Sequence, residues 1–408
     1  MKFEEVIEVR GHLIDSSILS NIFNVVTDLD GIYEVLEMTT GKRKQDTSYA
    51  KLMIGADTKR KLDKILAKVY REGATAHLPH EVSLKKAPMD MVMPADFYST
   101  TNNRTSIFCP GKWINVNNTM MDKCIVVRDG RASCTPIRDV KKGDDIVVGE
   151  EGVTITPPER PRETTNIFEF MGSGSSSERP TYYIAKQVAE DIIKTREANG
   201  KIVLVGGPAI VHTGAADVVA GMIRDGYIQG ILTGNALAVH DIEYSTLGTS
   251  LGMNIKDGTL AIRGHRNHMD TVNAVFRAGS ISEMVKSGRL KSGIMYECTR
   301  NNVPFVLAGS IRDDGPLPDV TTDVVDAQRQ YKKLLRGAKM VIMASTMLHS
   351  IATGNMLPAD VKVIILDINQ STVTKLMDRG TWQALGVVTD VGAFLLLVAN
   401  EIKKIKTR

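Results

Sequence analysis

From Lys201 onward the chain repeats one pattern: a short run rich in apolar, often β-branched residues, then a stretch with helical spacing. The runs are Lys201 to Val205, Ile228 to Leu232, Val303 to Leu307, Met340 to Ala344, Val361 to Leu366 and Leu385 to Val388. Strands so continuously apolar must be covered on both faces, and parallel neighbours need crossovers long enough to hold helices. The pattern predicts an α/β fold: a doubly wound, Rossmann-like parallel sheet with right-handed crossovers, spanning residues 181–408 and entered by a helix from Thr181 to Asn199.

The rest of the chain reads differently. Residues 1–98 mix extended runs (Glu5 to Val9, Tyr33 to Thr39, Tyr49 to Ile54) with two amphipathic helices. One carries Ile18, Leu19, Ile22, Phe23 and Val26, with Ser16 and Ser17 as caps; the other carries Leu62, Ile65, Leu66 and Val69. This predicts an N-terminal α+β domain. From 99 to 157 the helical period vanishes, and short runs such as Cys124 to Val127 and Asp145 to Val148 are punctuated by Asp129-Gly130, Lys142-Gly143 and Glu151-Gly152, which predicts a small β segment. Residues 158–180, with Gly172 to Ser177 and several prolines, read as a linker or mobile loop, or alternatively as a lid.

Composition excludes several functions. Lys and Arg exceed Asp and Glu by only 51 − 47 = 4 and are dispersed, so no nucleic-acid partner is expected. Apolar runs fall well short of the ~18 residues of a membrane span, and the start carries Lys2, Glu4 and Glu5 in place of an apolar leader, so a cytoplasmic, membrane-free protein is expected. The cysteines, Cys109, Cys124, Cys134 and Cys298, show no CxxC spacing and read as idle thiols, and no metal site is assigned.

In an open parallel sheet, ligands bind beyond the carboxyl ends of the strands, where helix N termini present free N–H groups. Those ends are Gly206 to Ala209, Thr233 to Ala236, Gly309 to Gly315, Ser345 to His349, Asp367 to Asn369 and Thr389 to Gly392. Asp367 follows Thr346 by 21 positions, a spacing similar to a dinucleotide-binding βαβ unit in which the turn holds the pyrophosphate and the carboxylate accepts from the ribose diol. A carboxylate there would repel a 2′-phosphate and favours NAD over NADP. The turn lacks GxGxxG, and helix capping is the plainer role for Asp367 and Asp390, as turn chemistry is for Asn235. His240, Asp241 and Glu243, and the run Arg263 to His268, suit metal or substrate binding as well as capping or solvated roles.

With these residues the sequence resembles the archaeal ornithine cyclodeaminase family over its whole length, opening on a region similar to lysine ketoglutarate reductase/saccharopine dehydrogenase (LOR/SDH) proteins at Val9 to Asp15. The unit also resembles the C-terminal part of cyanobacterial arginine dihydrolase/ornithine cyclodeaminase fusions; lacking room for the dihydrolase, this chain is not expected to cleave arginine. The resemblance implies NAD contacts at Asn235, Ala236, Asp314, Thr346, Met347, Leu348, His349, Asp367, Asp390 and Val391. It implies an ammonia lyase, active as a homo-oligomer, in which NAD takes the α-hydride of L-ornithine, the δ-amine displaces ammonia, and the cyclic imine recovers the hydride as L-proline. Arg263, His265, His240 and Asp241 are candidates for binding the α-carboxylate or deprotonating the α-ammonium, and no catalytic residue is assigned. Two alternatives stand beside this: a transferase resembling deoxyhypusine synthase, suggested by Thr233 to Asp241, and a non-catalytic NAD-responsive binding protein.

Overall fold

The computed structural model describes residues 3–13, 18–41, 46–78, 80–156, 181–255, 259, 266–313, 315–378 and 384–407. The chain divides into two units, Met1–Phe170 with Asn355–Asp360, and Met171–Gly354 with Val361–Arg408. The expected linker or lid, the Ser16 and Ser17 caps, Arg263, His265 and Asp314 lie outside the described residues.

The first unit begins with an antiparallel sheet of β1 (Phe3–Gly11), β2 (Ile32–Thr39), β3 (Ser48–Ala56) and β4 (Thr75–Ala76), in the order β2-β3-β1-β4. Alternate residues of β3 are buried against the helices Ile18–Asp28 and Lys59–Arg71. In the second helix the i, i+3, i+4, i+7 set Leu62, Ile65, Leu66 and Val69 is buried, each side chain contributing about 1.5–3 kcal/mol, and the Thr58 hydroxyl caps the start by accepting from Lys61 N–H.

A second sheet follows, of β5 (Ser83–Lys86), β6 (Arg104–Phe108), β7 (Trp113–Asn117), β8 (Cys124–Arg128), β9 (Arg131–Thr135), β10 (Asp145–Val148) and β11 (Val153–Thr156), ordered β11-β6-β7-β9-β8-β10-β5. The β8–β9 hairpin turns on Asp129-Gly130, both at positive φ (49° and 69°), as a two-residue loop matching strand twist requires. No disulfide links the cysteines, and burial pushes the Cys124 thiol up to about 11.

The second unit is built on β12 (Lys201–Gly206), β13 (Ile231–Gly234), the hairpin β14 (Thr249–Ser250) and β15 (Met253–Asn254), then β16 (Phe305–Ala308), β17 (Val320–Thr321), β18 (Ala338–Ala344), β19 (Lys362–Asp367) and β20 (Ala384–Val388). Apart from the hairpin these form one all-parallel sheet, β17-β16-β13-β12-β18-β19-β20. Both the Ile202/Leu204 and the Val203/Val205 faces of β12 are buried, so the sheet is covered on both sides. The six strands expected from the sequence lie in the order third, second, first, fourth, fifth, sixth, that of a Rossmann sheet. The order reverses between β12 and β18, the crevice where such sheets bind ligands.

Two details depart from the expected strands. Regular pairing of β13 begins at Ile231, because Gln229 and Gly230 first join β12 through backbone bonds to Ile202 and Leu204. β17 adds two residues at the edge, too few to leave a periodic signature. Among the described residues no helix is long and apolar enough to cross a membrane.

Candidate active site at the carboxyl edge of the parallel sheet

At the switch point two strand ends approach more closely than side chains allow. Gly207 N–H donates to Ala344 O at 2.9 Å, and a Cβ on Gly207 would stand 2.0 Å from Ser345 O. Only glycine fits. Ser345 turns the chain at φ 51° directly into the helix Met347–Gly354, and its hydroxyl is buried with no hydrogen-bond partner among the described residues. A strained turn, an unsatisfied hydroxyl and a helix N terminus therefore share one point, a combination suited to an anion.

The neighbouring strand ends complete the rim. Asp367 closes β19, and one oxygen accepts from Asn369 N–H at 2.8 Å. Met347, Leu348 and Ile368 expose large apolar side chains on these adjacent ends. The His349 Nδ1 lies 3.0 Å from the Thr346 hydroxyl, and its ring packs so closely on the end of β13 that a Cβ at Gly234 would sit 3.0 Å from its Cε1. Burial pulls the imidazole pKa of His349 down, so the ring is neutral.

The helix Asn235–Leu247, which leaves β13, is buried on nearly every side and yet carries Asn235, His240, Asp241 and Glu243 inward. Buried polar groups need partners. Asn235 accepts from Leu317 N–H at 3.0 Å and donates to Gly315 O at 3.4 Å, clipping the loop after β16. Asp241 accepts from Ile294 and Met295 N–H, both at 2.8 Å, and so caps the helix Ile294–Arg300; burial outweighs these bonds and raises its pKa to about 7.

Glu243, with no exposed surface, holds Oε1 between the Thr249 hydroxyl (2.8 Å) and Gly252 N–H (3.2 Å). Its Oε2 turns towards His240 Nδ1 (3.4 Å) and His268 Nδ1 (4.0 Å). The His212 ring packs edge-on against His240 with centroids 4.7 Å apart, and its Nδ1 lies 2.7 Å from the Ser250 hydroxyl. Burial alone would raise the Glu243 pKa, but the His240 imidazole, the Thr249 hydroxyl and Gly252 N–H outweigh it and hold the carboxyl below its usual value.

Of the ten residues expected to meet NAD, Thr346, Met347, Leu348, His349 and Asp367 gather on the β18 and β19 ends. Asn235 and Ala236 open the helix after β13, where the Asn235 side chain is already engaged. Asp390 caps the helix Val391–Lys406 through Ala393 N–H at 2.8 Å, with Val391 buried behind it. Asp314 is outside the described residues. Ser345 and Gly207 stand among the expected strand ends but not among the expected NAD contacts, since a buried hydroxyl and a backbone approach between strands far apart in sequence leave no local mark. His240 comes beside Glu243 and His268, whereas Asp241 points away to a helix end.

Comparisons with known proteins agree with this architecture. Residues 186–398 match the family model of the Arginine dihydrolase ArgZ-like, C-terminal, Rossmann fold, residues 104–185 its first region, and residues 4–103 the LOR/SDH bifunctional enzyme conserved region. The ornithine cyclodeaminase of Methanothermobacter thermautotrophicus is 53% identical over 98% of this chain and 97% of its own. The bifunctional arginine dihydrolase/ornithine cyclodeaminase AgrE of Nostoc sp. is 43% identical over 98% of this chain and 58% of its own. A crystal structure of AgrE in ternary complex with ornithine and NAD+ matches with a TM-score of 0.55 and 40% identity, covering 99% of this chain and 58% of that one. The apo structure of the cyanobacterial arginine dihydrolase ArgZ matches with a TM-score of 0.84 at 37% identity, over 100% and 59%. The chain belongs to the family that archaeal proteins named ornithine cyclodeaminase share with the C-terminal part of the ArgZ and AgrE enzymes.

Proposed function

We propose that this chain is an ornithine cyclodeaminase that binds NAD at the carboxyl edge of its parallel sheet and converts L-ornithine to L-proline and ammonia. The observation that carries the reading is the switch-point turn, where Ser345 brings a buried hydroxyl, without a hydrogen-bond partner among the described residues, to a helix N terminus beside the Asp367 carboxylate. The residues present fit a dinucleotide: the turn offers donors to a pyrophosphate, Asp367 an acceptor to a ribose diol, and Met347, Leu348 and Ile368 apolar cover for a base. Relatives named ornithine cyclodeaminase and the AgrE complex with ornithine and NAD+ support the choice of substrate and cofactor.

NAD, when bound, would supply a reversible hydride acceptor at the α-carbon of ornithine, the chemistry that lets the δ-amine displace ammonia and the ring close to proline without net redox change. The chain's own part is to hold the dinucleotide in one pose. Gly207 lets the β12 and β18 ends close together, and the neutral His349, braced by Thr346 and the end of β13, fixes the turn without adding charge. Keeping the substrate intermediate enclosed prevents its loss to water. Incubating the purified chain with ornithine and substoichiometric NAD, then quantifying products by mass spectrometry, tests the reading. Proline and ammonia in equal amounts are expected; an oxo acid formed with matching NADH would contradict it.

A further inference from the structure

The buried cluster beneath the helix Asn235–Leu247 goes beyond that reading and does not depend on it. His240 and Glu243 are three positions apart and share one helix face, while His268 comes from the helix Asn267–Ala278 packed against it. One ligand atom from each of the three side chains lies within 4.8 Å of the others. The rings of His240 and His268 are tilted by 41° with centroids 5.0 Å apart, close neighbours without stacking.

Protein contacts account for only part of this polarity. Glu243 is fully buried, and its Oε2 has no hydrogen-bond partner among the described residues, nor has the His240 Nδ1 that faces it at 3.4 Å. A buried carboxylate with an open oxygen is costly unless a positive charge meets it. The other oxygen is fixed by Thr249, whose hydroxyl in turn accepts from the Asn267 side-chain amide at 2.8 Å, and by Gly252 N–H. These outer bonds orient Glu243 so that Oε2 is presented to the two imidazoles, the arrangement that supports a metal-binding carboxylate.

We infer that His240, Glu243 and His268 form a binding site for a divalent transition-metal cation of the zinc class. Two imidazoles and one carboxylate suit zinc and its neighbours rather than calcium or magnesium, which take oxygen ligands. Ligand atoms about 2.0–2.2 Å from one tetrahedral ion stand roughly 3.5 Å apart, so the cluster, with its ligand atoms within 4.8 Å of one another, would contract onto the metal. Three protein ligands leave a coordination position for water or a small ligand, and the His212 ring, packed on His240, stands beside the site. In sequence His240 and Glu243, and the run that holds His268, suit capping or solvated roles as well as a metal, and the 25 positions between Glu243 and His268 give no local sign that they meet.

The test uses the full, tag-free chain, stripped with a chelator, dialysed and titrated with Co2+ as a spectroscopic substitute. One Co2+ per chain is expected, with ligand-field absorption that Zn2+ abolishes by displacement. His268→Ala, a change at a partly exposed position, should weaken binding by at least about tenfold while circular dichroism and NAD affinity are retained. X-ray absorption on the zinc-loaded wild-type chain needs no variant and should show two imidazoles, oxygen and no sulfur. No bound Co2+, a sulfur-containing shell, or equal affinity in a folded His268→Ala variant would overturn the assignment. NAD binding measured on the same samples reports separately on the cofactor reading.

Discussion

Asp367 and His349 carry the sharpest residue-level expectations. On the proposed cofactor pose, replacing Asp367 with Ala would remove an acceptor for the ribose diol and a charge that repels a 2′-phosphate. NAD affinity should fall about tenfold, and the preference over NADP should narrow or reverse. Titrating both cofactors measures this, and unchanged affinities would reduce Asp367 to its turn bond with Asn369. For His349, burial lowers the folded-state pKa below the ordinary 6.5, so unfolding takes up a proton. Its contribution to stability is complete above pH 6.5 and is lost as pH falls below that value. Urea unfolding across this range should show an acid loss of stability that is smaller in His349→Asn; identical pH profiles would contradict the buried neutral ring.

At the scale of elements, the helices reveal which polar residues serve the fold. Asp390 starts the helix Val391–Lys406, so Asp390→Ala should cost about 1 kcal/mol of stability, whatever it does to turnover. Asp241→Ala strands two buried N–H groups at the start of Ile294–Arg300, which predicts a loss of roughly 2–4 kcal/mol with NAD affinity retained. Thermal melts beside cofactor titrations separate the two effects; a stable Asp241→Ala variant that no longer binds NAD would reverse the assignment. Gly207→Ala joins element to site, because the added methyl must push β12 from the Ser345 carbonyl. A stability loss of about 1–3 kcal/mol together with weaker NAD binding is expected.

Elements were also what the sequence disclosed best. Apolar runs and turn pairs are local signals, so the parallel strands, the Asp129-Gly130 turn and the Lys59–Arg71 helix were legible in the sequence, whereas the pairing of β8 with β9 across that turn came from the fold. What escaped depended on distant partners. Asn235 and Leu317 meet across 82 positions, and no periodicity shows that the Asn235 amide clips a loop. The same distance hid the use of Ser345 and Gly207, and the convergence of His240 and Glu243 with His268. Polar residues at strand ends could be listed from the sequence; which of them the backbone already engages needed the fold.

For the whole molecule, the proposed reaction requires hydride to leave and return within one catalytic cycle. A Rossmann sheet with a dinucleotide at its switch point also serves ordinary dehydrogenases, so cofactor binding alone does not distinguish the reactions. The fate of the α-hydrogen does. Ornithine carrying deuterium at its α-carbon, incubated with the enzyme and one equivalent of NAD per active site, should give many turnovers to proline that keeps the label at its α-carbon, with no net rise in NADH absorbance. Proline whose α-position has lost deuterium to solvent, or NADH accumulating in step with the ornithine consumed, would contradict the internal hydride cycle.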